Sequence, residues 1–269
     1  MRHQLSLYLR LISIQLRSQM QFRVSFWTDV ITTGLLNFSY FFSTYLVLQR
    51  FGSIAGWSVA EMAFLYGMIE ISFGSMDMLF SGFDPDSFSR FIRQGLLDQV
   101  LLRPVSVALQ IFGSAFVMRR LGRITQGALV LIFALVNLPV HWTPLKVGLL
   151  PVMWISQIAA MGALFMAGST LTFWTVQRVE AINILTYGGV EVMSYPMTIY
   201  PRWLRGFFTY LIPFIFLNFY PALYILDKPD PLGLPAFSPF LAPLVGGVML
   251  FLASRFWQVG LSHYQSTGT

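Results

Sequence analysis

The sequence predicts an all-α membrane protein with an N-terminal interfacial amphipathic helix, six transmembrane helices, and a re-entrant helix pair before the last of them. Three observations predict this class. Of the 269 residues, 56% are hydrophobic and only 10% are charged, whereas an ordinary globular domain carries about 25% charged residues. Several apolar segments reach the roughly 20 residues that a helix needs to cross a bilayer. The arginines stand mainly at the ends of these segments, which is typical of membrane orientation signals.

The composition also excludes several kinds of site. The chain has no Cys, which rules out disulfides, Cys-ligated metals and a Cys nucleophile. The histidines, His3, His141 and His263, are too far apart in sequence for a local metal site. Neither lysine, Lys146 or Lys228, follows a glycine-rich turn as a phosphate-binding loop requires. We therefore expect no catalytic residue, metal or cofactor in this chain and, despite its net charge of +6, no nucleic-acid partner.

Residues 1–23 predict an amphipathic helix that lies in the membrane interface. Arginines opposite an aliphatic stripe are typical of helices in the headgroup region. The alternative, a helix packed against other parts of the protein, is disfavoured because the sequence offers no soluble core for it to join. The apolar stripe consists of Leu5, Leu9, Ile12, Leu16 and Met20, and the polar face of Ser6, Arg10, Ser13, Arg17 and Gln21.

Residues 24–269 predict a single transmembrane domain. A further apolar stretch between its last two spans, 206–226, contains Pro213 and Pro221 with Asn218 between them. Because each proline removes a helical hydrogen-bond donor, two half-helices that enter the membrane and turn back are favoured over one straight span. The six spans cover approximately residues 25–48, 59–82, 124–140, 147–174, 181–200 and 237–257.

The basic residues orient these spans. With a cytoplasmic N-terminus and a re-entrant 206–226, both termini are cytoplasmic, and twelve of the 17 basic residues lie inside, in agreement with the positive-inside rule. A fully spanning 206–226 would leave this count unchanged, so the prolines alone favour the re-entrant form. The inside group is Arg2, Arg10, Arg17, Arg23, Arg90, Arg93, Arg103, Arg119, Arg120, Arg123, Arg178 and Arg255; the outside group is Arg50, Lys146, Arg202, Arg205 and Lys228.

The longest polar segment, 84–123, carries six of the arginines and lies on the cytoplasmic side in this orientation. Asp84-Pro85 suits the N-cap and first turn of a helix, and Arg103-Pro104 suits its end. The segment therefore predicts a cytoplasmic amphipathic helix over residues 84–104. Its apolar positions are Phe88, Phe91, Ile92, Gly95 and Leu96.

Three of the acidic residues in the predicted spans are singled out as groups at membrane depth. Glu70 and Asp77 are seven residues apart in the second span and share a face, and Glu191 is in the fifth. Ionisable groups at membrane depth are costly and normally face protein or water. They either line a polar path or subunit contact, or form structural hydrogen bonds with neighbouring helices. A proton relay is disfavoured, because no intramembrane Lys, Arg or His is expected to partner the acids.

The fifth predicted span is the most polar, and its Tyr187 and Tyr195 flank Glu191. A helix with this many polar residues cannot face lipid on all sides. We therefore interpret Glu70, Asp77, Tyr187, Glu191 and Tyr195 as candidates for a translocation path or a dimer interface.

The order of these parts resembles the ABC-2 type (type V) ABC transporter permeases. Local sequence agrees over nearly the whole chain. Residues 95–104, GLLDQVLLRP, are similar to the coupling-helix signature of an uncharacterised ABC-2 permease subfamily. So are residues 199–205, IYPRWLR, followed by Ile212-Pro213 and by residues 218–222, NFYPA.

The resemblance implies a bacterial cytoplasmic (inner) membrane protein that is not itself an enzyme. It implies a permease subunit that exports a hydrophobic or amphiphilic substrate such as a lipid, a glycolipid or a drug. It also implies two copies of a separate ATPase, which bind ATP and Mg, and a second permease chain, identical or related. The ATPase-coupling residues would be Asp84, Phe88, Arg90, Phe91, Arg93, Leu96, Asp98 and Arg103, and the external re-entrant gate would include Pro213, Asn218 and Pro221.

Two other functions fit the same sequence. An ion-coupled secondary transporter would use Glu70, Asp77 and Glu191 as carriers. A membrane scaffold would have no transport role. The substrate, the direction of transport and the identity of the second permease do not follow from the residues alone.

Overall fold

A computed structural model describes residues 2–175 and 180–265, which form helices joined by short loops. Arg178, one of the predicted cytoplasmic arginines, lies outside the described residues, as do the side chains of Arg2, Leu5, Ser6 and Leu9. The α-helices are α1 (Arg2–Met20), α2 (Arg23–Phe51), α3 (Val59–Leu79), α4 (Pro85–Arg93), α5 (Leu96–Leu101), α6 (Val107–Ser114), α7 (Leu121–Asn137), α8 (Pro144–Thr175), α9 (Glu180–Met193), α10 (Arg202–Gly206), α11 (Phe219–Ile225) and α12 (Ala242–Ser262).

Within these residues, three helices are long and apolar enough to cross a membrane: α2, α8 and α12. A bent pair, Arg202–Leu211 with Phe214–Ile225, raises the number to four if it is counted as one span. The helix α7 has 17 residues, so at 1.5 Å per residue it falls short of the roughly 30 Å of a hydrocarbon core; the described part of α9 has 14 residues. The chain is a multi-pass membrane protein, while the six spans stay a prediction.

Close contacts at glycines define the directions of the helices. Gly67 and Gly74 of α3 lie against Leu131 and Ile124 of α7 respectively, so these two helices are antiparallel. Such small residues let helices approach closely in membranes. We call the end of the bundle where α3 and α8 begin the upper end, and the opposite end the lower end.

The last helix runs in the same direction as α8. Gly246 near the start of α12 lies against the Ser156 backbone, and Gly260 near its end lies against Thr170. Between them α9 runs the other way, because Gly168 of α8 contacts Ile182 while Phe165 contacts Tyr187. The segment from α9 to α12 therefore begins and ends at the upper end.

The bent pair occupies that segment. Its two parts meet at an angle of 80°, with Ile212-Pro213 at the break. Pro213 therefore breaks the helix as its missing donor predicts. Pro221 does not, because it lies in the first turn of α11, where a missing N–H leaves no helical bond unmade.

The predicted helix over 84–104 is two helices. It begins as predicted, since the Asp84 side chain accepts a hydrogen bond from the Ser87 N–H and Pro85 is the first helical residue. It ends early at Gly95, which has a φ of +65°. This left-handed conformation is accessible to glycine at little cost and interrupts a right-handed helix.

The predicted fifth span, 181–200, is also too long. The helix α9 ends at Met193, because the nearby Pro196 lacks a donor and restricts the residue before it. Tyr195 consequently stands beyond the helix, in the turn that leads to the bent pair.

The first helix packs against the lower end. The Gln15 and Gln19 side chains donate hydrogen bonds to the Ser114 and Phe116 carbonyls, and Gln19 Oε1 accepts one from the Met118 N–H. These contacts hold α1 against α6 and against the loop that follows α6. Part of the surface of α1 thus packs on the protein, as in the alternative that the sequence disfavoured for residues 1–23. The position of this helix in the membrane interface stays a prediction.

Candidate functional site

A cavity of about 570 Å³ lies among α2, α3, α7 and α9. Four of the five residues predicted for a path or interface line it: Glu70, Tyr187, Glu191 and Tyr195. The cavity opens on the side of the bundle, since Tyr40 of α2 is 71% exposed and Glu191 is exposed. The structure therefore gathers residues from two distant parts of the chain at one place.

Glu70 is paired with an arginine. Arg123 Nε and Nη2 each donate a hydrogen bond of 2.6 Å to a different oxygen of the Glu70 carboxylate. The guanidinium also lies 4.4 Å from the centre of the Phe73 ring. The side chains of Arg123 and Glu70 are only 14% and 3% exposed, so this is a bidentate, largely buried ion pair.

Asp77 forms a simpler ion pair outside the cavity, with one contact and no hydrogen bond. Its carboxylate lies 2.7 Å from Arg120 Nε. The two acids share a face of α3, as their spacing predicts. Their partners, Arg120 and Arg123, are only three residues apart. Arg120 ends the 3₁₀ turn Met118–Arg120, and Arg123 lies in the first turn of α7.

The expectation that no cation partners the membrane acids is therefore wrong. It followed from starting the third span at residue 124, which placed all the nearby arginines in the cytoplasm. The helix starts at Leu121 instead. Arg123 is thereby inside the bundle and packs against α3.

Glu191 differs from the other two acids. Within the described ranges, no hydrogen-bond donor or cation contacts its carboxylate directly. Its neighbours in the cavity wall are hydroxyl groups: Tyr195 OH lies 3.0 Å from Thr44 Oγ1, and Tyr66 OH donates to the Asn37 carbonyl at 2.9 Å. No group of three His, Asp or Glu suited to a metal ion occurs among the described residues.

The helix α2 also contributes to the cavity, although none of its residues was among the predicted site residues. Asn37, Tyr40 and Thr44 all line the cavity. Their spacing of three and four residues puts them on one face of the helix. This polar stripe in an otherwise apolar span is the signal that could have identified them.

The bent pair is attached to the bundle through Asn218. Its side-chain amide donates to the Leu65 carbonyl of α3 at 3.1 Å and to the Met193 carbonyl of α9 at 2.8 Å. Gln157 of α8 donates to Asn218 Oδ1 at 3.2 Å. Since Asn218 is fully buried, it joins three helices at a point where an apolar residue would leave carbonyls unsatisfied.

Two ion pairs fix the upper end of the same segment. Lys228 Nζ lies 2.7 Å from Glu61 at the start of α3, and 4.8 Å from the centre of the Trp57 ring. Asp227 lies 2.6 Å from Lys146 at the start of α8. The chain after α11 is thus held at the upper end, where α12 begins.

The lower end carries the predicted coupling residues, and they divide into two groups. Phe88 is 1% exposed and packs against the rings of Phe173 and Trp257, so it belongs to the protein core and not to a docking surface. Arg90 and Arg93 are exposed. With Arg119, Asp84 and Asp86 they line a polar groove of about 570 Å³.

The remaining coupling residues lie around α5. Phe91, Leu96 and Asp98 are half-buried, and Arg103 is exposed. Burial and the nearby Asp98 carboxylate raise the pKa of Tyr264, just after α12, to about 12. Asp98 therefore faces the end of the last helix.

The set of coupling residues predicted from sequence leaves out two exposed leucines at the end of α5. Leu102 is 86% exposed and Leu101 is 42% exposed, next to the exposed Arg103. Single exposed apolar residues are common. A pair of them beside basic side chains, at the end of the bundle that is rich in arginine, is a surface on which another protein can dock. We call Leu101, Leu102 and Arg103 the leucine tip.

Comparison with known families agrees with this architecture. A family model described as "ABC-2 family transporter protein" matches residues 35–268. The chain belongs to the ABC-2 family of transporter proteins. Comparisons with curated proteins and with solved structures gave no match. Membership makes the chain a permease subunit of an ABC transporter, in a family that normally works with an ATP-binding cassette ATPase.

Proposed function

We propose that this protein is the membrane subunit of an exporter that moves a hydrophobic or amphiphilic molecule and takes its energy from two copies of a separate ATPase. The observation that carries the proposal is the polar cavity among α2, α3, α7 and α9, in a chain that belongs to the ABC-2 family. Its wall combines charged groups, hydroxyls and aromatic rings. Such a mixture suits a molecule with both polar and apolar parts.

The side of the bundle where the cavity opens, between α2 and α9, favours the presence of a second permease chain, identical or related. Tyr40 is 71% exposed, and Glu191 is exposed on the neighbouring α9. Exposed polar and charged groups at membrane depth are costly against lipid. A second permease that covers the α2–α9 face would enclose the cavity between the two chains and make it a path.

The lower end supports the docking of the ATPase. In the proposed orientation it faces the cytoplasm of a bacterium, where ATP and Mg are available to the partner. The groove of Arg90 and Arg93 and the leucine tip lie together there. Rearrangement of the ATPase could be passed to the core through Phe88, which packs directly against Trp257 of α12.

Reconstitution tests the proposed function. We expect ATP-dependent export of a fluorescent lipid from proteoliposomes only when this chain and its co-purifying ATPase are both present. Omission of the ATPase, or its replacement by a variant that cannot hydrolyse ATP, is the control. Transport that is driven by a proton or sodium gradient without ATPase would contradict the proposal and favour a secondary transporter. An absence of transport in every combination would favour a scaffold.

The bent pair is proposed as a re-entrant gate on the external side. The cysteine-free chain allows a direct test with Phe237→Cys, because Phe237 is 60% exposed in the loop before α12. We expect a membrane-impermeant maleimide to label this cysteine from outside intact cells. If both this cysteine and one at the lower end are labelled only after the membrane is opened, 206–226 crosses it completely. Leu102→Cys at the lower end is the matched control, with the opposite expected sidedness.

A further inference from the structure

We propose that the cavity binds an organic cation, so that the transported molecule is an amphiphile with a positively charged group. This inference rests on the proposed function and names its substrate class. It depends on the balance of charge in the cavity and on the aromatic rings that surround the unbalanced charge.

The charge balance follows from the ion pair. Three of the residues that line the cavity have a carboxylate or guanidinium group: Glu70, Arg123 and Glu191. Both oxygens of Glu70 are occupied by Arg123, so these two charges compensate each other. The Glu191 carboxylate is left as the unbalanced charge of the described cavity. An unpaired carboxylate at membrane depth is costly, and a bound cation would remove that cost.

The aromatic rings are placed to contribute. Tyr187 precedes Glu191 by four residues and shares its face of α9. Tyr40 of α2 and Tyr195, which lies just beyond the end of α9, line the same cavity. Tyrosine rings attract cations through their negatively polarised faces, most strongly organic ammonium groups that shed water easily. A carboxylate beside tyrosines is therefore chemistry that recognises a large, weakly hydrated cation.

The size of the cavity agrees with such a ligand. Its volume of about 570 Å³ is within the range of roughly 300–1,000 Å³ typical of sites for drug-sized molecules. Arg123 does not repel the cation strongly, since its charge is compensated by Glu70 at contact distance. The competing occupant of the site is a basic side chain from a second permease.

A pair of ions with the same shape and opposite charge tests the proposal. The probes are tetraphenylphosphonium and tetraphenylborate, measured by equilibrium binding to the purified chain in phosphatidylcholine nanodiscs, with binding to empty nanodiscs subtracted. In separate titrations, we expect saturable binding of the phosphonium and no saturable binding of the borate. Glu191→Gln should raise the Kd for the phosphonium at least about tenfold, the loss expected for one charged contact.

Matched variants separate charge from aromatic contact. Tyr187→Phe keeps the ring and should bind nearly as well as the wild type, whereas Tyr187→Leu should bind several-fold more weakly. Asp29→Asn removes an exposed carboxylate of α2 outside the cavity and should leave the Kd unchanged.

Three results would overturn the proposal. They are equally tight saturable binding of the borate in its own titration, an unchanged Kd in Glu191→Gln, or a change in oligomeric state rather than in cation affinity in that variant. The last would show that Glu191 binds a second permease. Because no ATPase is present, the outcome is independent of the proposed function: ATP-driven export without cation preference would reject this inference alone, and cation preference without ATP-driven export would reject the other.

Discussion

Replacement of Glu70 by Gln should destabilise the protein by about 3–5 kcal/mol, the cost of leaving a buried charge without its partner. Arg123 would keep its positive charge, because the guanidinium does not lose its proton in proteins. Its side chain is 14% exposed, so little water is available to replace the two lost interactions with the carboxylate. The contact between α3 and α7 would weaken as a result.

Unfolding of the purified chain by SDS, followed by circular dichroism, measures this change. Asp29→Asn is the control: it neutralises an exposed carboxylate of α2 and should alter stability by less than about 0.5 kcal/mol. The double variant Glu70→Gln/Arg123→Gln should recover much of the loss, because it removes both charges. A stability of Glu70→Gln equal to that of the wild type would show that water in the cavity solvates Arg123.

The ion pair also bears on the alternative functions. A carboxylate that carries protons or sodium ions must release its partner during each cycle. Glu70 is held at both oxygens by Arg123, and Asp77 is held by Arg120. Two of the three acids that a secondary transporter would use are therefore already engaged in the structure, which favours a structural role for them.

The local features of this fold were predictable from sequence, because their causes are local. Asp84-Pro85 starts a helix whatever lies around it, since capping involves only the next three residues. Pro213 breaks the bent pair for the same reason. The hydrophobic composition predicts a membrane protein without any knowledge of contacts.

The features that sequence analysis missed depend on contacts between distant residues. Glu70 and Arg123 are 53 residues apart, and they meet only because α3 and α7 are antiparallel and closely packed at glycines. The burial of Phe88 is of the same kind. An amphipathic pattern shows that one face of α4 is apolar, but the pattern is identical whether that face packs on the protein itself or on a partner.

The break at Gly95 changed the expected docking surface. In one continuous helix over 84–104, Phe88 and Leu96 would have lain along a single exposed stripe. Because the chain turns at Gly95, Phe88 packs into the core and the residues after the turn project from the lower end as the leucine tip. The exposed apolar side chains that a partner could contact are therefore at the end of α5, and not on α4 as the sequence predicted.

Leu102→Asp should consequently weaken binding of the ATPase by about 30-fold or more, which is the effect of losing one interface hot spot of at least 2 kcal/mol. Leu102 is 86% exposed, so the fold of the chain does not depend on its side chain, and stability should change by less than about 0.5 kcal/mol. Affinity is measured by biolayer interferometry between the chain in nanodiscs and its co-purifying ATPase, and stability by unfolding of the same preparations.

Two further variants decide which part of the lower end binds. Leu102→Met keeps an apolar side chain of similar size and should retain the affinity of the wild type. Arg93→Glu tests the polar groove, and because a rim charge acts mainly on the rate of association, we expect a several-fold effect that declines at high salt. If Leu102→Asp binds normally and Arg93→Glu does not, the groove rather than the leucine tip is the docking site. Normal binding by both variants would place the ATPase elsewhere on the chain; Phe88 is buried in the core and cannot contact a partner without unfolding α4, so the half-buried Phe91 would be the next position to test.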